Sequence, residues 1–142
     1  MRLTRNQVVV LLAFTLFLGL PLLDEAQTGQ STLGPVGTVW GGTHVGLEVT
    51  SEGATLEFDC ASGTMTQAAK LDAKGNFEVP GTFTREHPGP VMRDGNGAAS
   101  AMYSGSIQGN TMKLRITSGP QHEDMGDFVL VRGKQGRVFK CK

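Results

Sequence analysis

The chain has 142 residues, with 13 Lys and Arg against 13 Asp and Glu, 20 Gly and two Cys. This length allows one folded domain. The balanced charge argues against a general binder of nucleic acid or of anionic membrane surfaces, so no nucleic-acid partner is predicted. One asymmetry lies at the C-terminus, where five cations follow one another without an acid between them. We interpret them as a solvated rim: Arg132, Lys134, Arg137, Lys140 and Lys142.

Residues 1–26 are predicted to be a signal peptide or an N-terminal anchor. Arg2 and Arg5 precede an apolar run from Val8 to Leu23, which is typical of a secretory signal. The run is shorter than the roughly 20 apolar residues of a spanning helix. Since no clear cleavage site follows, an uncleaved membrane anchor is the alternative to an exported periplasmic or extracellular protein. Residues 27–38 are small, polar and Gly/Pro-bearing, so a flexible linker is predicted before a domain over 39–142.

The rest of the chain shows an alternation of apolar and polar residues. Residues 44–50 place Val45, Leu47 and Val49 on one face, and period two is typical of a strand buried on one side. The same pattern and the turn residues predict eight strands: "HVGLEVT", "ATLEFDC", "TMTQAAKL", "NFEVPGTFTRE", "AMYSGSIQ", "TMKLRIT", "DFVLVRG" and "RVFKC". The prediction is an all-β, eight-stranded up-and-down barrel, with a two-sheet β-sandwich as the alternative.

The residues that this alternation turns inward are apolar and bulky, so the interior is expected to be filled or nearly filled. The predicted inward set is Val45, Leu47, Val49, Leu56, Phe58, Met65, Phe77, Val79, Phe83, Tyr103, Ile107, Met112, Leu114, Ile116, Phe128, Leu130 and Phe139.

Strand parity assigns the connections to two ends of the barrel. The turns "SEG", "DAKG", "GN" and "GKQG" share one end and are short. The opposite end receives the long links "EHPGPVMRDGNGA" and "SGPQHEDMG" and the start of the first predicted strand. We predict that this second end is the binding surface, and its candidate residues are Trp40, His44, Glu86, His87, Arg93 and His122.

The two cysteines, Cys60 and Cys141, are predicted to form a disulfide at the same end. An exported chain with two cysteines favours a bond over two free thiols, and no Cys-x-x-Cys spacing indicates a metal or redox pair. The bond would tie the last predicted strand into the barrel. Trp40 is expected to plug a barrel end and pack on this disulfide, rather than to stack on a ligand.

Catalytic and metal signals are weak. His44, His87 and His122 with nearby carboxylates could bind zinc or copper, but no His-x-His or His-x-x-x-His spacing supports a ligand set. A hydrolase built on His87 and Glu86 is the least favoured hypothesis, and no nucleophile motif or cofactor motif is present. The prediction is a non-enzymatic binding or structural module without a cofactor; the alternative is a metal- or small-ligand-binding protein.

Several stretches resemble small exported bacterial β-domain proteins to which no activity is assigned. They are "WGGTHVGLEVT", "GATLEFDCASG", "LDAKGNFEVPGTFTREHPGPV", "YSGSIQGNTMKLRI" and "VFKCK", and they cover nearly the whole domain. In addition, "GTVWGG" resembles the Gly-x-Trp opening of lipocalin-like and avidin-like barrels. The resemblance implies an exported β domain, and it carries no catalytic role over to any residue of this chain.

Overall fold

The computed structural model describes residues 31–86 and 97–141, so the predicted signal or anchor, His87 and Arg93 lie outside the described residues. Each strand pairs antiparallel with the next, and β8 pairs with β1 to close a barrel. The strands are β1 (Val39–Gly42), β2 (Val45–Val49), β3 (Ala54–Phe58), β4 (Ala61–Met65), β5 (Asn76–Arg85), β6 (Ala99–Gln108), β7 (Thr111–Ser118) and β8 (Glu123–Arg132). The predicted all-β up-and-down barrel is confirmed, and the sandwich is not formed. Within the described ranges no helix has the length and apolarity needed to cross a membrane.

The number of strands agrees with the prediction, but one predicted strand does not form and one strand that was not predicted does. Val39–Gly42 forms β1, which the alternation did not mark because it is short and half glycine. The predicted last strand, "RVFKC", belongs instead to an extended tail over residues 133–141, here called the C-terminal strap. The predicted strand "TMTQAAKL" is displaced as well, since β4 spans Ala61–Met65 and starts directly after a two-residue turn.

The barrel interior is filled by the predicted inward residues, with one exception. Phe139 is 68% exposed on the strap, so its assignment to the core is wrong. Tyr103 lies at the centre, where its hydroxyl donates a hydrogen bond to the carbonyl of Thr82 at 2.5 Å. Gly63 and Gly81 make room for this side chain, because a Cβ at either position would overlap it. Burial raises the pKa of Tyr103 well above its ordinary value.

Aromatic side chains close both ends of the interior. At the end near the N-terminus of β1, Trp40 is fully buried and its Nε1 donates to the carbonyl of Leu33 at 2.9 Å. The guanidinium of Arg132 lies 4.7 Å from the centre of the Trp40 ring. At the other end, the ring of Phe58 lies 5.6 Å from that of Phe83 and 5.2 Å from that of Phe128. These contacts place aromatic rings near both ends of the barrel.

The structure differs from the predicted linker over residues 31–38. Leu33 is 2% exposed and belongs to the core. Thr32 forms a bridge with Lys70, and the amide of Gly37 donates to the carbonyl of Val49 at 2.8 Å. These residues pack on the barrel although their composition is that of a linker. A single buried leucine among small polar residues leaves no periodic signal in the sequence.

Candidate functional site at the disulfide end

The connections after β1, β3, β5 and β7 meet at one end of the barrel, here called the disulfide end. The β1–β2 turn holds His44, the β3–β4 turn holds Cys60, the β5–β6 connection starts at Glu86, and the β7–β8 turn holds His122. The structure thus places His44, Glu86 and His122 at the same end as the disulfide. It places Trp40 towards the opposite end, because β1 starts there, and Trp40 does not pack on the disulfide as expected.

Three turn residues at this end have backbone conformations that side chains rarely adopt. The φ angle is 68° at His44, 53° at Cys60 and 51° at His122. Each is in the left-handed region, where a non-glycine residue costs on the order of 1–3 kcal/mol. Among the described residues, the non-glycine residues with positive φ are all found in these turns. Such strain is typical of positions whose side chains have a task beyond closing the turn.

The C-terminal strap crosses the outer face of the barrel to reach the disulfide end. It leaves β8 with the amide of Gly133 donating to the carbonyl of Val39 at 2.8 Å. Further on, Arg137 forms a parallel bridge with Thr43: its amide donates to Gly42 at 2.9 Å, and its carbonyl accepts from His44 at 2.8 Å. The strap therefore fastens the β1–β2 turn through main-chain hydrogen bonds.

Glycine on both sides of the contact allows this close approach. Gly41 and Gly46 are paired across β1 and β2 on the outward face. Gly136 of the strap lies directly over them, and a Cβ on Gly136 would overlap the main chain of Val45 and Gly46. The strap would have to lift if any side chain were placed at position 136.

The strap ends in the predicted disulfide. Cys141 is bonded to Cys60 in the β3–β4 turn, the Cα atoms are 5.0 Å apart and the sequence separation is 81 residues. The pairing is confirmed, although the chain reaches Cys60 over the outside of the barrel and not as a strand of it. In the chain-entropy model, closing a loop of this length stabilises the fold by about 4–5 kcal/mol.

Asp59 holds the strap just before the disulfide. Its Oδ1 accepts a hydrogen bond from the amide of Phe139 at 2.7 Å, and its Oδ2 is hydrogen-bonded to Nδ1 of His44. The bond from the Phe139 amide, followed by those from His44, holds the pKa of Asp59 below its ordinary value. Since Nδ1 is engaged, Nε2 is the ring nitrogen of His44 that is left for an outside partner. The side chain of His44 is 54% exposed.

Phe139 and its neighbours form an exposed patch. The ring of Phe139 lies 6.0 Å from that of His44. Next along the strap, Nζ of Lys140 lies 3.7 Å from carboxylate oxygens of both Glu57 and Glu86. Exposed ion pairs add little to stability, but these contacts place charged side chains next to Phe139 along the strap. We call His44, Glu86, Phe139 and Lys140 the clasp surface.

The sequence predicted part of this surface. His44 and Glu86 were candidates, whereas Asp59, Phe139 and Lys140 were missed. Asp59 occupied the polar face of a predicted strand, and Phe139 matched the alternation of a strand that does not form. The signal that could have found them is the symmetry of "FDC" and "FKC", in which each cysteine is preceded at two residues by phenylalanine.

The remaining candidates give no metal centre in the described part of the chain. Across residues 31–86 and 97–141, no three side chains of His, Cys, Asp or Glu are grouped as a metal would require. Fold and site together define a closed β-barrel with an apolar core, whose C-terminal strap is fastened by a disulfide. Comparison with family models, with curated proteins and with solved structures finds no match to this chain.

Proposed function

We propose that the protein is an exported, non-enzymatic binding or structural module that contacts its partner through the clasp surface. The observation that carries the proposal is the exposed ring of Phe139 beside His44, on a backbone fixed by the disulfide, by Asp59 and by the parallel bridge. Aromatic side chains, phenylalanine among them, are enriched at the centres of protein–protein interfaces. A fixed backbone lowers the entropy lost on binding, so the same contacts give a higher affinity.

Export is supported by the disulfide that holds the strap. Disulfides persist in oxidising compartments and are rare in the cytosol of most organisms. The strap depends on one such bond, between Cys60 and Cys141. The basic start and apolar run of residues 1–23 are in keeping with a signal for export or with an N-terminal anchor.

A binding role is favoured over catalysis by the way in which the polar groups are used. Both carboxylate oxygens of Asp59 are engaged in holding the strap and His44. Apolar side chains occupy the barrel interior, which favours contact at the outer surface. This use of Asp59 to fasten the strap favours a surface for contact with a partner.

Photocrosslinking of the full chain, produced in its own exporting host, tests this proposal. A photoreactive phenylalanine analogue at position 139 is expected to give a discrete adduct with a partner. The matched control is the same analogue at Val36, which is 68% exposed, as Phe139 is, and lies outside the clasp surface. Equal yields at the two positions, or no adduct at 139 in any growth condition, would contradict the proposed contact surface.

The alternative is a metal- or small-ligand-binding protein that uses His44, His87 and His122. Native mass spectrometry of the full chain from its own compartment separates the two functions. A bound mass that disappears in His44→Ala, and is retained in a variant at Phe139, would support the alternative over a partner contact.

A further inference from the structure

An outer groove, separate from the clasp surface, lies between the strap and β8. It has a volume of about 440 Å³, within the range of roughly 300–1,000 Å³ that ligand sites occupy. Gly41, Gly42 and Thr43 of β1 and its turn line it along the seam where the barrel closes. Val129 and Val131 of β8 form one wall, and strap residues form the other.

The strap wall is positively charged. Lys134 and Arg137 line the groove, and no carboxylate is among its lining residues. Neither side chain forms an ion pair with a described residue. Asp127, two residues before Val129, is turned to Arg115 on β7, with which it makes two hydrogen bonds of 2.7 and 2.8 Å. The groove is thus complementary to an anion.

The opposite wall is apolar and has the spacing of an extended chain. Val129 is 57% exposed and Val131 is partly exposed, while Leu130 between them is buried in the core. Side chains two residues apart on one strand are separated by about 6.5–7 Å. Alternate side chains of an extended peptide have the same separation, so two of them can lie against the two valines.

The main chains of β1, β8 and the strap run along the groove. The seam between β1 and β8 consists of the pairs Trp40–Arg132 and Gly41–Val131, whereas β7 and β8 form eight residue pairs. The strap at residues 134–137 runs beside this short seam. An extended segment in the groove would therefore lie beside the backbone of β8 and that of the strap. Proteins that recognise peptides in a strand-like conformation use the same arrangement.

We propose that this groove binds an extended acidic segment of a partner protein. Its alternate apolar side chains rest on Val129 and Val131, and its carboxylates pair with Lys134 and Arg137. This proposal is separate from the one for the clasp surface, because the groove and the clasp surface share no residue. Such a segment gains speed of association from the charges and affinity from the apolar contacts.

The test is an NMR titration of the isotope-labelled, disulfide-bonded full chain with a capped peptide of alternating glutamate and valine. Peptide-induced shifts are expected at residues 41–43, 129, 131 and 134–137. The double charge reversal Lys134→Glu with Arg137→Glu is expected to weaken binding by about 100-fold, about tenfold for each position, because each reversal removes an attraction and adds a repulsion. The matched control, Lys74→Glu in the exposed β4–β5 turn, is expected to retain it.

The variants are expected to fold, because Arg137 is held in the strap through its main chain, and the unperturbed shifts of Tyr103 and Phe139 in the free protein will check this. Weaker binding in higher salt is also expected, since the charges are exposed. Binding unaffected by the charge reversal would overturn the proposal. So would equal binding of a serine-for-valine peptide, or of hexanoate, which would indicate a site for small carboxylates. Failure of this titration leaves crosslinking at Phe139 unaffected, and the reverse holds as well.

Discussion

The two halves of the barrel are stabilised in different ways. Strands β1–β4 have four or five residues each, whereas β5–β8 have eight to ten. The long half is held by long ladders, with eight residue pairs between β5 and β6 and eight between β6 and β7. The short half has the strap across its outer face, the disulfide at one end and Leu33 at the other. Segments outside the strands thus support the short strands, and Phe139 and Lys140 of the clasp surface lie on one of these segments, the strap.

The largest effect is expected from removing the disulfide. Replacing Cys60 and Cys141 together by serine is expected to lower the free energy of unfolding by about 3–5 kcal/mol, because the unfolded chain loses a long closed loop. Urea unfolding measures the loss. Hydrogen exchange should show faster exchange in the strap and in β1–β3 than in β6 and β7. A uniform acceleration over all strands would contradict the division into two halves.

Matched cavities in the two halves sharpen the comparison. Leu56 on β3 and Leu114 on β7 are each 1% exposed. Leu56→Ala and Leu114→Ala are each expected to lower the free energy of unfolding by about 2–5 kcal/mol, through lost contacts and a cavity. In the protein without the disulfide, the Leu56 variant should open β1–β3 locally before global unfolding. The Leu114 variant should unfold in a single transition, and a partly open state in that variant would count against the comparison.

A methyl group under the strap is expected to have a smaller effect. Gly136→Ala places a Cβ against the main chain of Val45 and Gly46, which is expected to cost about 1–3 kcal/mol as the strap lifts. Differential scanning calorimetry measures the change, and the amide signal of Arg137 reports whether the bridge to Thr43 is broken. Gly97→Ala is the control, since a Cβ there meets nothing within 4 Å. Equal effects of the two substitutions would show that the strap is not seated on these glycines.

The smallest effect is expected when the pH is lowered and Asp59 becomes protonated. Asp59 has a pKa lowered in the folded protein, so its stabilising contribution is present above a pH of about 4 and is lost as the pH falls through the folded value. Between pH 6 and 2 the Phe139 amide is expected to lose protection from hydrogen exchange in the same range in which Asp59 titrates. Asp59→Asn should remove this response, whereas Asp72→Asn, at another carboxylate with a lowered pKa, should retain it. An unchanged acid response in Asp59→Asn would contradict the role of this carboxylate.

The predictability of the fold differs between the same two halves. In the long half, "YSGSIQGNTMKLRI" shows alternation and a Gly-Asn turn, and it forms β6 and β7 with the predicted faces. In the short half, Val39–Gly42 was missed, and the strap was mistaken for a strand. Four residues with two glycines carry too little alternation to be recognised. Phe139 was wrongly assigned to the core for a different reason. It follows an alternating pattern, but alternation marks an inward face only where a strand forms.

The sequence by itself determined the all-β class, most of the turns and inward faces, and the pairing of two cysteines. These follow from neighbours a few residues apart and from the number of cysteines, so they are legible along the chain. The tertiary structure alone decided which segment closes the barrel. Val39–Gly42 fits between β2 and β8, while residues 133–141 meet glycines on the outer face and continue to Cys60. That choice depends on contacts between residues nearly one hundred positions apart, such as Gly41 and Gln135. It places Phe139 on the surface beside His44.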